Sequence, residues 1–585
     1  MDSLTAPVIK RAIRLGLIGG GVAVYCAAVG LVGRFESRDI ITDLVGLGRG
    51  LVFAVALAVG YVAARRPARK PGEAEAAPGP EGPARVVAGA LAGGVTGLVL
   101  GVLILVGAAI NLRTMFVSLS AALFEVLQFG QEAVAGALIW VLGGAVLGAI
   151  AGGAHLVPAR WRKPAFTALV SILLLSLFSP LVEQIFASLE IPTDWLYQGS
   201  GMTLVGAVIL FVVIVAVLEL WDTQGDRPRR TFDALPEKQR GVAKWVLIAL
   251  GIALLLYLPQ ILGVFLSEVV GTVGLFILLG LGLNIVVGYA GLLDLGYVAF
   301  FAIGAYATAL LMSPSAAGAT EMSFWVALPI VVVVSTVAGI LIGAPVLRLR
   351  GDYLAIVTLG FGEIVRIIVI SNWAGPFTGG AQGILSIPDP VLFGNEIRGP
   401  QALYYLIFAA VLLAFFISKR LQTSRMGRAW NAMREDEQVA EAMGLSIIKT
   451  KLSAFAMGAA IGCLAGAFFA VKIGSVFPHS FNILVSIQAL SLIVLGGMGS
   501  IPGVIIGAAV LVGLPELLRE FAEFRLLLYG AILVAIMLVK PEGLIPSARR
   551  KAELHVEETP ESQYEQRGGE EAGAPRITAT PGEAG

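Results

Sequence analysis

The chain has 585 residues, 57% of them hydrophobic and only 14% charged, with a mean hydropathy of +0.87. A soluble domain carries about a quarter charged residues, so this composition excludes a soluble globular protein and defines a polytopic membrane protein. The formal net charge of +1 says nothing about partners, because in such a chain the placement of charge matters and the total does not.

Apolar runs recur along nearly the whole chain, each with the ~20 residues a helix needs to cross about 30 Å of hydrocarbon. A transmembrane barrel would instead show segments of about 10 residues with period-2 alternation, and none occurs. Six spans are predicted first, near 12–32, 44–64, 86–110, 134–156, 166–187 and 201–220. The run at 12–32 follows Lys10 and Arg11, with Arg14 in its first turn, but is long for the core of a cleavable leader, and it is read as a span. Basic residues fall in alternate connections: Lys10/Arg11/Arg14, RRPARK (65–70) with Arg85, Arg160/Arg162/Lys163, and DRPRRTFDALPEKQR (226–240). Cytoplasmic loops are the Lys/Arg-rich ones, which supports six spans with a cytoplasmic N-terminus. PGEAEAAPGPEGP (71–83) reads as a polar linker without core-forming capacity.

The charged stretch 221–244 is the sharpest internal boundary and separates an N-terminal multi-span block, 1–220, from a second block of spans. In that second block, apolar segments are predicted near 245–266, 268–289, 295–313, 324–346, 354–371, 403–419, 450–472, 484–497, 502–518 and 525–540. The pair at 484–518 is short and joined by GSIPG, so it reads as half-helices or one re-entrant unit. Basic groups again alternate (Arg348/Arg350, then 419–430, then 540–551), and an even number of spans returns the C-terminus to the cytoplasm. The acidic, Pro/Gly-bearing end of the chain is expected to be a disordered cytoplasmic tail, 548–585.

Enzymatic and metal signatures are missing. No GxxxxGK[ST], HExxH or CxxC occurs, so the chain has no Walker A phosphate cradle. GGMGS (496–500) follows no soluble strand and is a poor nucleophile elbow. Cys26 and Cys463 lie within apolar runs, and His155, His479 and His555 are scattered. These exclude a disulfide framework and a metal cluster. No catalytic residue, metal site or bound cofactor is expected.

Three polar features interrupt the hydrophobic pattern. SRMGRAWNAMREDEQVAEAMGLSIIKTK (424–451) predicts an amphipathic loop helix. Ser424 can cap its start, and Met426, Trp430, Met433, Ala440 and Met443 form a narrow apolar stripe. Gly444 is placed to stop it. Glu435, Asp436, Glu437 and Glu441 among the arginines disfavour anionic lipid, so a protein partner fits better than headgroups. Glu363 and Arg366, three apart, can pair on one helix face; charges within a span face protein or a water-filled path, and a structural pair near a helix end fits equally well. Glu183 is a lone membrane carboxylate. Finally, GLNIVVGYAGLLDLGYVAFFAIGAYATALL (282–311) carries five glycines with one Asn and one Asp. Small residues let helices approach closely, and glycine also permits a broken helix lining a path. Asp294 sits between Gly291 and Gly296 at such a break, which makes Asn284, Asp294, Gly296, Gly304, Glu363 and Arg366 the translocation-path candidates.

Residues from about 245 to 547 resemble the LivM-type permease of bacterial branched-chain amino acid ABC importers. The resemblance is carried, in order, by 282–311, RLRGDYLAIVTLGFGEIVRI (348–367), TGGAQGI (378–384), 424–470, LSLIVLGGMGSIPGVIIGA (490–508) and KPEGLIP (540–546). It implies an all-α polytopic permease core, here with about six additional N-terminal helices. It also implies that the 424–444 helix is the coupling element gripped by ABC ATPase subunits, with Arg425, Gly427, Arg428, Arg434, Glu437, Ala440 and Gly444 at or beside that interface. The general importer signature EAA-x3-G is degenerate, with Gln438, Val439 and Ala440 in the triplet before Gly444. Ala381 and Gln382 make TGGAQGI a loose fit.

The expected function is the membrane-spanning subunit of an ATP-driven importer that carries Leu, Ile and Val delivered by an extracytoplasmic binding protein. A second homologous permease subunit is expected beside it, in the bilayer of a bacterial inner membrane, with ATP used by the partner and no nucleic acid bound. The alternatives are a urea or short-amide permease of the same family, or an ion-coupled secondary transporter using Glu183, Asp294 and Glu363. The block 1–220 is expected to be dispensable for the transport cycle.

Overall fold

The structure is a computed structural model. It describes residues 6–42, 45–65, 80–188, 191–199, 201–224, 237–314, 321–346, 349, 351–517, 530, 533–534, 538, 540 and 543–546. Among the described residues, 10 helices are long and apolar enough to cross a membrane, and three shorter apolar helices accompany them. The expected span at 525–540 and the tail 548–585 lie mostly or wholly outside the described residues. The chain divides into two compact units, Met1–Leu254 and Leu255–Gly585.

In the first unit the principal helices are α1 (Ala6–Ala28), α2 (Leu47–Ala64), α3 (Ala84–Ala109), α4 (Ala133–Gly153), α5 (Ala159–Leu177) and α6 (Leu204–Gln224). α3 and α4 meet backbone to backbone. A Cβ on Gly89, Gly93 or Gly97 would overlap the carbonyl oxygens of Gly148, Gly144 and Trp140, and one on Gly152 would overlap that of Arg85. Glycines at four-residue spacing on both helices make this approach possible. The buried Thr96 hydroxyl donates to the Gly16 carbonyl at 3.2 Å, joining α3 to α1. The expected span at 166–187 begins earlier, at Ala159, and breaks at Phe178 ahead of Pro180, where proline cannot complete the helical ladder. Very short strands (39–41, 45–46, 197–198 and 201–202) form a small sheet at one end.

The second unit contains α7 (Glu237–Leu283, whose first residues belong to the first unit), α8 (Val298–Met312), α9 (Phe324–Val346), α10 (Asp352–Ile370), α11 (Gly399–Thr423), α12 (Arg425–Glu435), α13 (Glu437–Ala442), α14 (Ile447–Ile473), α15 (Ile483–Gly496) and α16 (Ile501–Ala508). α7 is the two expected spans 245–266 and 268–289 run together across a break at Gly263, whose φ is 68°. Pro259 lacks the N–H that would bond the Leu255 carbonyl, and the break at Gly263 frees the Pro259 carbonyl. α11 satisfies both: Tyr404 donates its hydroxyl to Leu255 O at 2.8 Å and Gln401 its amide to Pro259 O at 3.0 Å.

The core centres on α8 packed against α14. A Cβ on Gly304 would overlap the Cys463 carbonyl, and one on Gly466 would overlap that of Phe301. α15 and α16 form a tight hairpin in which Gly496, Gly503 and Gly507 pack backbone on backbone. Residues 543–546 of KPEGLIP strap it, with Leu544 N–H donating to Leu495 O at 2.8 Å and Ile545 N–H to Gly496 O at 2.9 Å. TGGAQGI forms a compact turn, with positive φ at Gly379, Gly380 and Gly383, pinned to the α14–α15 connection by a bridge between Ile384 and Val476.

Candidate functional site

The α7–α8 junction is a helix break held from several sides. α7 ends in a wide turn, Asn284–Tyr289, and the chain runs irregularly to Tyr297. Asn284 is 1% exposed and its Oδ1 accepts from Gly499 N–H at 2.9 Å, tying the break to the α15–α16 turn. The Leu295 N–H donates to the Thr358 hydroxyl on α10 at 3.1 Å, and the Val298 N–H to the Ser486 hydroxyl on α15 at 2.9 Å. Tyr297, fully buried, donates to Gly458 O on α14 at 2.6 Å. Gly296 lies so close to α10 that a Cβ would overlap the Thr358 carbonyl oxygen.

Asp294 is 2% exposed; its Oδ1 accepts from Gly296 N–H at 2.9 Å and its Oδ2 has no hydrogen-bond partner. Its observed work is to cap a turn, which an amide oxygen does equally well. Asp294→Asn is therefore expected to fold and transport nearly as well as the parent, whereas Asp294→Ala loses the turn's hydrogen bond, worth about 1 kcal/mol net. Uptake assays decide it, since abolition by Asp294→Asn alone would make this carboxyl an ion-linked group.

The loop helices are fastened to this break. Ser424 caps α12 by accepting from Gly427 N–H at 3.2 Å, and Asp436 caps α13 by accepting from Gln438 and Val439 N–H at 2.8 and 3.1 Å. Trp430 is fully buried and its indole N–H reaches Thr450 O at 3.1 Å and Ser453 Oγ at 2.9 Å, both on α14. Lys451, 4% exposed at its side chain, pairs with Glu437 at 2.7 Å. Arg434 extends across to Gly288 O at 2.6 Å and lies against Gly291, whose Cβ would stand 2.6 Å from Arg434 Cγ. The positive φ of Gly291, 71°, and this close approach both call for glycine.

The predicted apolar stripe divides in two. Trp430, Met433 and Ala440 are buried against the chain's own helices, while Met426 and Met443 are 39% and 80% exposed, as is Val439, outside the predicted stripe, at 58%. Arg425, Arg428 and Gly444 share the exposed surface, and Arg428 donates to Thr423 O at 3.0 Å. Gly427 is buried where a Cβ would overlap the Leu421 carbonyl. Arg434 and Glu437 are used internally, and a bulky residue at Ala440 would lift α13 off the bundle.

Glu363 and Arg366 form their expected ion pair, with side chains 44% and 33% exposed. They stand on an outward face of α10 with Ile356, Ile364 and Ile367, and nothing lies within 4 Å of a Cβ on Gly360. Asn284, Asp294, Gly296 and Gly304 are instead interior. Sequence reasoning missed Thr358, Ser486, Tyr297, Gly499 and Lys451, and also the ion pair of Lys472 with Glu268 at the far end of α14. Only their positions within apolar runs hinted at them. Ser500 of GGMGS is a helix cap, accepting from Gly503 N–H at 3.2 Å.

Membrane-crossing helices clamped around a glycine-rich break, with an amphipathic helix pair bolted to that break, define a polytopic permease. The family model described as "Branched-chain amino acid transport system / permease component" matches residues 265–539. The high-affinity branched-chain amino acid transport system permease protein LivM of Salmonella typhimurium is 45% identical over 317 residues, covering 50% of this chain and 69% of that protein. LivM of Escherichia coli K12 is 42% identical over 326 residues, 52% of this chain and 71% of its own. LivH of the same organism is 32% identical over 156 residues, 26% of this chain and 49% of its own. No solved structure matches. The chain belongs to the branched-chain amino acid transport permease family, and the match begins only after the N-terminal unit.

Proposed function

We propose that this chain is the membrane-spanning subunit of an ATP-driven importer of Leu, Ile and Val, receiving substrate from an extracytoplasmic binding protein. The single observation that carries the reading is the bolted loop helix pair. Its inner face is locked to the permease through Trp430, Lys451 and Arg434, while Met426, Val439 and Met443 with Arg425 and Arg428 face outward. A partner pushing on that outer face would move the helix break through Arg434 and Gly288. The relatives' names supply the substrate class. ATP hydrolysis belongs to separate ATPase subunits, and this chain binds no cofactor of its own. The loop helices and both termini then lie on the cytoplasmic side of the bacterial inner membrane.

The outward face of α10 is assigned to a second permease subunit. A charged pair within a span is costly against lipid, and Gly360 between Ile356 and Ile364 leaves room for a close helix. The coupling surface is tested by single cysteines in the assembled transporter. Met443→Cys and Val439→Cys are expected to cross-link to the ATPase, and Trp430→Cys, buried on the other side, is not. An assembled, active complex in which neither exposed position cross-links would sink the assignment.

A further inference from the structure

We propose that one end of the N-terminal unit is a binding site for the phosphate of an anionic phospholipid, a role independent of the transport reading above. Three separate helices bring arginines to this end. Arg11 of α1 donates to the carbonyls of Arg65 and Val62 at the end of α2, at 2.8 and 3.4 Å. Arg85, at the start of α3, donates to Pro80 O at 3.2 Å and His155 O at 3.0 Å. Arg162, in the first turns of α5, reaches His155 Nδ1 at 3.2 Å. The His155 ring stacks on Tyr61, centroids 4.3 Å apart, and its Nε2 lies 3.0 Å from Tyr61 O. A histidine in either protonation state brings no negative charge to the guanidinia it holds.

These bonds fix the guanidinia without neutralising them. Each guanidinium has five donors; the bonds described take two on Arg11, two on Arg85 and one on Arg162. Among the described residues no carboxylate pairs with any of the three; the nearby Arg160, by contrast, is paired with Glu219 at 2.5 Å. Topology asks only that such loops be basic. It does not ask that Arg85 and Arg162 be anchored on one histidine and Arg11 on the carbonyls ending α2, all on neutral acceptors, with their remaining N–H groups unpaired. Fixed guanidinia of this kind match phosphate oxygens.

The surroundings favour a lipid as the phosphate's carrier. Trp161, Phe166 and Leu169 along α5, with Leu156 and Val157 before it, are 43–57% exposed, so an apolar surface continues from the arginines along the helix. A headgroup at the arginines would lay its acyl chains on that surface. Basic pockets between membrane helices bind anionic headgroups in this manner.

The test uses the purified full chain in detergent and measures lipid retention by native mass spectrometry and thermal shift, with dioleoyl phosphatidylglycerol and dioleoyl phosphatidylcholine as probes and inorganic phosphate as competitor. Selective retention of phosphatidylglycerol is expected, with affinity falling about tenfold in Arg85→Gln/Arg162→Gln, the loss of two charge-assisted contacts to phosphate. Arg113→Gln, a charge removed from the connection after α3 at the opposite end, should change nothing. Arg162→Gln alone breaks only the bond to His155 and serves if the double variant folds poorly; it too must weaken retention. Arg85→Lys/Arg162→Lys should recover part of the binding. Equal retention of the two lipids, or undiminished retention in the Gln variants, overturns the proposal. Saturation by millimolar inorganic phosphate with no lipid preference also overturns it, because it would assign the site to a soluble anion.

Discussion

Gly296→Ala is expected to leave the chain able to insert but poorly folded and without uptake. The new Cβ would overlap the carbonyl oxygen of Thr358; a Cβ position is fixed by its own backbone and the atom it meets is backbone, so nothing can rotate away. Overpacking costs about 1–3 kcal/mol, occasionally more, and a Cβ driven into a backbone carbonyl belongs at the upper end. The cost falls on the segment that also carries the Leu295–Thr358 and Val298–Ser486 bonds, so α8, α10 and α15 should loosen together. Gly360→Ala on the same α10 provides the internal control. A Cβ there meets nothing within 4 Å, and alanine gains about 1 kcal/mol of helix propensity over glycine. Thermal unfolding in detergent separates the two variants. Equal melting temperatures would mean that the break and α10 do not meet as described.

Trp430→Ala is expected to uncouple ATP hydrolysis from uptake while the membrane helices stay folded. Removing a fully buried tryptophan costs about 3–5 kcal/mol. Here that loss falls on the attachment of α12 to α14, since the indole meets Thr450 and Ser453 and the neighbouring attachments are the Lys451–Glu437 pair and Arg434. Trp430→Phe keeps most of the volume and loses only the indole N–H bonds, worth about 1 kcal/mol net, and should fall between parent and Ala. Substrate transported per ATP hydrolysed is the readout. A Trp430→Ala transporter with parental stoichiometry would show that α12 does not carry the stroke.

The hydrophobic runs, the Ser424 cap and the stop at Gly444 were legible because each is local: length, period and cap chemistry are written in consecutive residues. The tertiary reason for the glycines was only half legible. Their number in 282–311 signalled close packing, but the carbonyls they meet, at Thr358 and Cys463, belong to distant helices. The same limit explains the misread stripe. Period alone joins Met426 to Trp430 and Met443, and it cannot say that Trp430 turns inward while Met443 faces out. Polar residues such as Thr358 and Ser486 looked like ordinary interruptions, because their partners lie 63 and 188 residues away in the chain. Lys451 was invisible for a related reason: a lysine beside a loop reads as solvated, yet it is buried against Glu437.

The central claim is that an ATPase acting on the exposed loop-helix face moves the helix break. The most direct measurement is leucine uptake into proteoliposomes that hold this chain with its partner permease and ATPase, supplied with the binding protein. Uptake is expected to require both ATP and the ATPase, and to persist when proton and sodium gradients are collapsed. Leucine uptake driven by either gradient, with no ATPase present, would contradict that claim.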